Sequence, residues 1–383
     1  MTHPIGYFDY NATTPMLEEA IEAWNEVARE GWYNPSGLYL EAGLARQKLE
    51  DCREELADLL EIGEPERILF TGGATEANNA VIRHLARESK RGLAVSSIEH
   101  PCVEAAVREY ASGIEVVEIP VDPKIGAVEI AEVEKLVREG RVDAISVMAA
   151  NNETGVIQPW KEIAGICREQ EVHFHTDAAQ WFGKLGTSGI DRCGFVTGSG
   201  HKFGAGKGVG FLVIPEDGAE SFVSQVGGPQ EEGRRAGTED LANIAGMVAA
   251  LAFRSAEALV DRKPIAKVRD EFETELCDSL GTTTVAAEGD RLWNTSMLLL
   301  PHSKNLKWLT RLSKLGFAVS TGSACSAGRG NPSKVMEAMG LDFEEMGRVL
   351  RISGGWETSE REWKDLGAAL VEVGAELSES GRS

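Results

Sequence analysis

A chain of 383 residues, 42% hydrophobic and 26% charged, is long enough to bury a large core and to divide into two domains. Its formal net charge of −22 excludes the basic face that a nucleic-acid binder needs. The six cysteines form no C-x-x-C pair and follow no secretory leader, so a zinc site or disulfide framework is not expected and reduced thiols in a cytoplasmic enzyme are. Apolar runs such as Met247–Phe253 are far too short to cross a bilayer.

In chain order, Arg67–Phe70, Leu93–Ser97, Ile114–Ile119, Asp143–Ala149, Val172–Thr176, Gly194–Thr197 and Val209–Ile214 read as buried strands. Helical spacing fills several of the gaps, over Glu76–Arg87, Val103–Tyr110, Ile130–Glu139 and Trp160–Glu169. Such alternation predicts an α/β fold whose mostly parallel sheet is sandwiched by helices, with ligands at the carboxyl ends of its strands. Beyond residue 255 the pattern changes. A long helix is expected over Ala256–Leu280, strands over Thr282–Ala286 and Thr295–Leu300, and a helix over Lys304–Lys314. Strands over Phe317–Ser320 and Val349–Ser353 and a final helix over Glu360–Leu377 complete a smaller α+β domain. The expected boundaries are residues 15–256 for the large domain, and 1–14 with 257–383 for the small one.

The polar candidates fall just after strands. Thr71-Gly72-Gly73-Ala74-Thr75-Glu76 leads a strand into a helix, where free N–H groups attract an anion; a plain strand-to-helix turn explains the segment equally well. It is neither a G-x-G-x-x-G fingerprint nor a Walker A motif. His100 precedes Pro101, which suits a first helical turn; an imidazole there could stack on a flat ring and shuttle protons, or simply sit in a turn. Asn151-Asn152 could bond a ring hydroxyl or a carboxylate, or form an ordinary Asn-rich turn. Asp177 ends a strand, with Gln180 three residues on; an aspartate there could instead cap a helix. Ser199-Gly200-His201-Lys202 ends another strand in a lysine, a residue that is usually solvated.

A strand-end lysine facing a strand-end aspartate is what pyridoxal phosphate chemistry needs. The lysine forms the Schiff base, and the aspartate keeps the pyridine nitrogen protonated so that the ring accepts electrons. Cys325 stands among small residues, Ser323-Ala324-Cys325-Ser326-Ala327-Gly328, where an accessible thiol can act as a nucleophile once ionised. The other five cysteines lie on helix or strand patterns and fit inert burial.

Together these segments resemble the cysteine desulfurases, in the class V aminotransferase group of fold-type I pyridoxal phosphate enzymes. The resemblance begins at Tyr7-Phe8-Asp9-Tyr10-Asn11-Ala12-Thr13-Thr14-Pro15 and includes Asn34-Pro35-Ser36. It runs on through GGATEANN, EHPCV, NNETGVIQP, HTDAAQ, SGHKFGAGKG, GRRAGTED at 233–240, GSACSAG and RISGG at 351–355. It implies that Lys202 holds the cofactor and moves the substrate Cα proton. Asp177 would pair with the pyridine nitrogen, Gln180 would bond the ring oxygen, and His100 would stack on the ring. Ala74, Thr75, Ser199 and His201 would hold the phosphate, and Thr238 would reach the neighbouring subunit's phosphate site in a homodimer. Arg351 and Asn152 would grip the carboxylate of L-cysteine, a bidentate task for which a planar guanidinium is suited. Cys325 would accept the sulfur as a persulfide and pass it to an acceptor or iron–sulfur scaffold protein. A selenocysteine lyase, or another enzyme of the group, is the alternative. Trp356 stands where an arginine is often found, and Tyr39 where a histidine is expected.

Overall fold

The computed structural model describes residues 5–217, 219–258, 262–322 and 333–380. A two-residue strand, Gly6–Tyr7 (β1), comes first. Seven strands then build the main sheet: Ile68–Thr71 (β2), Gly92–Ser96 (β3), Glu115–Ile119 (β4), Ala144–Ser146 (β5), His173–Asp177 (β6), Phe195–Ser199 (β7) and Gly210–Val213 (β8). Later come Thr283–Thr284 (β9), Thr295–Leu299 (β10), Phe317–Ala318 (β11) and Val349–Ser353 (β12).

The main sheet runs β2-β8-β7-β6-β5-β3-β4. β8 pairs antiparallel with β2 and β7 and the other four pairings are parallel, so the expected mostly parallel sheet is observed. The strands read as continuous apolar runs because both faces are covered. Side chains alternate between two cores. Ile68, Phe70, Val196, Phe211 and Val213 join the core on one face, whereas Leu69, Phe195 and Leu212 join the other. The helix Ala74–Glu88 supplies Ala77, Val81 and Leu85 to the second core, at the i, i+4, i+8 spacing of one helix face. The helices Trp160–Glu169 and Leu241–Ala258 supply Ile163, Leu241 and Val248 to the first.

The C-terminal part has its own three-stranded antiparallel sheet, β12-β10-β9, with Thr295 opposite Ser353. The helices Lys263–Leu280 and Glu360–Ser380 cover it, with Phe272, Leu276, Trp363, Leu366 and Leu370 in a third core. The chain's beginning joins this part. β1 pairs with β11, Asp9 bridges to Ser353, and the Tyr10 N–H donates to the Ser353 carbonyl at 3.1 Å.

The sequence pattern predicts one helix over Ala256–Leu280, but two helices meet there. One ends at Ala258, and the next starts at Lys263 with Pro264 in its first turn. Proline has no N–H to continue a helical ladder, whereas at a helix start that N–H is not needed.

Candidate active site

The carboxyl ends of β2, β6 and β7, and the segments that follow β3 and β5, all open on one cleft of about 440 Å³. Ala74, Thr75, His100, Asn152, Asp177, Gln180, Ser199, His201, Lys202 and Arg351 line it, so ten of the twelve residues singled out above converge. Thr238 lies outside the cleft and is exposed. Cys325 lies outside the described residues. Gly322, three residues before it, lines the cleft.

One end of the cleft suits an anion. The helix Ala74–Glu88 begins beside Ser199, and no side chain caps its first turn. Gly73 at its N-cap has φ +129°, which is strained for any residue with a Cβ. The neighbouring backbone is just as tight: a Cβ on Gly210 would lie 2.6 Å from Gly73 Cα. The glycines therefore let a ligand reach the helix N–H groups.

Lys202 Nζ donates to the carbonyls of Asn11 at 2.7 Å and Ala12 at 2.9 Å. Burial, with help from Arg351, pushes the amine down to about 8, while Asp177 and Asp9 act to raise it. At pH 7 roughly a tenth of this lysine is therefore already neutral and nucleophilic, far more than an ordinary lysine offers. We predict that capture of pyridoxal phosphate by the cofactor-free protein accelerates as pH rises through about 8, followed by absorbance. A rate flat between pH 7 and 9 would contradict that value.

Asp177 is buried at 5% exposure, and its Oδ1 accepts from the Ala179 N–H at 2.9 Å. His100 is the N-cap of the helix Pro101–Tyr110, its Nδ1 accepting from the Cys102 N–H at 3.2 Å. Burial and Lys202 hold its pKa below the usual histidine range, against the pull of Asp177. Burial also drives His201 down to about 4. Gln180 Nε2 donates to the Asn11 carbonyl at 2.9 Å, and its Oε1 accepts from the fully buried Lys184.

Arg351 comes from β12, across the cleft. Its Nη2 pairs with Asp9 at 2.6 Å and its Nη1 donates to the Asn152 carbonyl at 2.9 Å. Nε is buried without a partner. A buried guanidinium with an unmatched donor in the lining of a cleft is suited to a carboxylate. An anion cradle, an amine of lowered pKa and a buried carboxylate fit a phosphorylated pyridine aldehyde, with Arg351 left for an amino-acid carboxylate.

The sequence reading missed several partners. Asp9 and Asn11 stand in the first motif, but only the meeting of the N-terminal segment with β12 shows their use. Asn78 lies inside the GGATEANN segment and Lys184 four residues beyond HTDAAQ, neither with a role assigned from sequence. Trp356 is 8% exposed, with the Arg254 guanidinium 3.9 Å above its ring and its Nε1 donating to the Gly183 carbonyl at 3.0 Å. An arginine is thus still present at this seam, but it comes from the helix Leu241–Ala258.

The model of the class V aminotransferase family matches residues 6–366. A cysteine desulfurase of Rhodobacter capsulatus is 35% identical over 385 aligned positions, covering 98% of each chain. A solved NifS-like protein superposes with TM-score 0.86 at 30% identity, over 97% of this chain and 99% of that one. A structure described as SspA in complex with cysteine gives TM-score 0.78 at 31% identity, over 91% of this chain and 98% of that one. By sequence over nearly its whole length and by fold, the chain belongs to the class V aminotransferases, among the cysteine desulfurases.

Proposed function

We propose that the protein is a pyridoxal phosphate-dependent cysteine desulfurase that converts L-cysteine to L-alanine and leaves the sulfur as a persulfide on Cys325. The observation that carries this reading is the lysine of lowered pKa, Lys202, sharing one cleft with the buried Asp177 and with Arg351. Bound there, the cofactor supplies an electron sink for the pair left when Cα loses its proton.

The chain's own residues do the rest. Lys202 Nζ would be the amine that holds the cofactor and the base that moves the Cα proton. Asp177 would keep a positive charge on the ring nitrogen, Gln180 would bond the ring oxygen and His100 would cover the ring face. Ala74, Thr75, Ser199 and His201 hold the phosphate. Arg351 and Asn152 orient the substrate carboxylate, which must share the guanidinium with Asp9. The Cys325 thiolate attacks the substrate sulfur, the carbon–sulfur bond breaks, and alanine leaves. Atoms balance: a thiol and cysteine give a persulfide and alanine.

We assign residues 15–256 to a cofactor-binding domain, and 1–14 with 257–383 to a small one. The pairing of β1 with β11 supports that division. We also propose a homodimer in which Thr238 completes the partner's phosphate site. Trp32, Leu38, Leu40, Leu44 and Val226 are exposed, Leu38 at 99%, and a second copy would cover them. The five described cysteines are free, as suits a cytoplasmic enzyme, and among the described residues no helix is long and apolar enough to cross a membrane. The persulfide would pass to an acceptor or iron–sulfur scaffold protein.

The test is alanine release from L-cysteine. Cys325→Ala is expected to lower it about 100-fold or more while leaving pyridoxal phosphate uptake intact. Full activity in that variant would favour a lyase of the selenocysteine type instead.

A further inference from the structure

Asn78 sits near the start of the helix Ala74–Glu88 and is fully buried. Its amide has two N–H donors and an oxygen with two lone pairs, and all four are matched. Thr197 Oγ1 donates to Oδ1 at 2.7 Å, and His175 Nε2 lies 3.2 Å from the same oxygen. Nδ2 donates to Asp177 Oδ2 at 2.6 Å and to Cys102 Sγ at 3.2 Å.

The direction of each bond follows from chemistry. A carboxylate only accepts, so the amide nitrogen faces Asp177 and the amide oxygen faces Thr197. Burial pushes His175 down to about 4, which keeps it neutral. Ser146 Oγ is 2.8 Å from its Nδ1 and donates there, leaving the Nε2–H to donate to Asn78. Burial, reinforced by Asp177, pushes the Cys102 thiol up to about 12, so it keeps its proton. That sulfur accepts from Asn78 and turns its S–H to His100 Nδ1, 3.0 Å away. The Cys102 main-chain N–H donates to the same nitrogen. His100 Nδ1 is an acceptor twice over, which leaves the ring proton on Nε2. The charged groups acting on this ring are Asp177 and Lys202.

We propose that Asn78 is a positioning residue of the cleft: it orients the Asp177 carboxylate and, through the Cys102 thiol, fixes His100 with its proton on Nε2. One amide thereby couples Asp177 to His100. The hydrogen-bond chain is independent of the desulfurase reading; only the use made of Asp177 and His100 rests on it.

Nitrogen-15 NMR of the His100 ring in the cofactor-free full chain reads the tautomer directly. The wild type is expected to show an accepting Nδ1 and a protonated Nε2. Cys102→Ala should move the Nδ1 resonance, and Cys102→Ser, which keeps an O–H donor, should return it. Asn78→Ala should move it too, although Asn78 does not touch His100. That variant should also weaken pyridoxal phosphate binding about tenfold, the scale of one bond to a charged group. A wild-type Nδ1 that carries the proton would overturn the proposal, as would Cys102 variants that leave the resonance in place. A folded Asn78→Ala variant that leaves the resonance in place would overturn it as well; if that variant does not fold, the Cys102 pair still tests the thiol link to His100. A wild type that takes up no pyridoxal phosphate would sink the desulfurase reading and leave the tautomer result standing.

Discussion

Lys202→Ala is expected to abolish turnover of L-cysteine, a loss of about 10⁴-fold or more. In the proposed mechanism the same amine would both anchor the cofactor and move the substrate proton, so no second group would cover for it. The visible absorption band of the cofactor-loaded protein should vanish with it. The fold should survive. The change removes a mostly buried amine and frees two carbonyls, Asn11 and Ala12, at a cost of about 1 kcal/mol. Steady-state alanine release and a thermal melt measure the two halves of this expectation. A variant that keeps a tenth of wild-type activity would remove Lys202 from the mechanism.

Asp177→Asn should lower kcat about 100- to 1000-fold with little change in shape. The amide cannot stabilise a positive charge on the ring nitrogen as a carboxylate does. It also creates a local conflict. Asp177 Oδ2 accepts from Asn78 Nδ2, and Thr197 pins that amide from its other side. An asparagine at 177 keeps its Oδ1 on the Ala179 N–H only by turning N–H groups towards N–H groups. A stability loss of about 1–3 kcal/mol follows from one buried donor left without an acceptor. An unchanged melting temperature would mean that Asn78 turns over freely.

Much of this is legible in the amino-acid sequence. Apolar runs such as Val209–Ile214 read as strands because both of their faces are buried, and β8 falls inside that run at Gly210–Val213. Asp177 and Lys202 were legible because each ends or follows such a run, and strand ends of one sheet meet. The helix boundary near residue 260 was harder, since Ala256–Leu280 keeps helical spacing across the break and only Pro264 signals a new start. The Asp9–Arg351 pair joins residues 342 positions apart, which no local pattern can announce. Asn78 was hidden for another reason. A buried amide's partners are fixed by side chains from β6, β7 and the helix Pro101–Tyr110 together, and its own motif carries no sign of them.

The most direct test asks which amine carries the cofactor. The protein loaded with pyridoxal phosphate is reduced with borohydride, digested, and its peptides weighed. The predicted result is a single pyridoxyl phosphate adduct on Lys202. An adduct on Lys184 or Lys207 instead, or none on any peptide, would contradict the account.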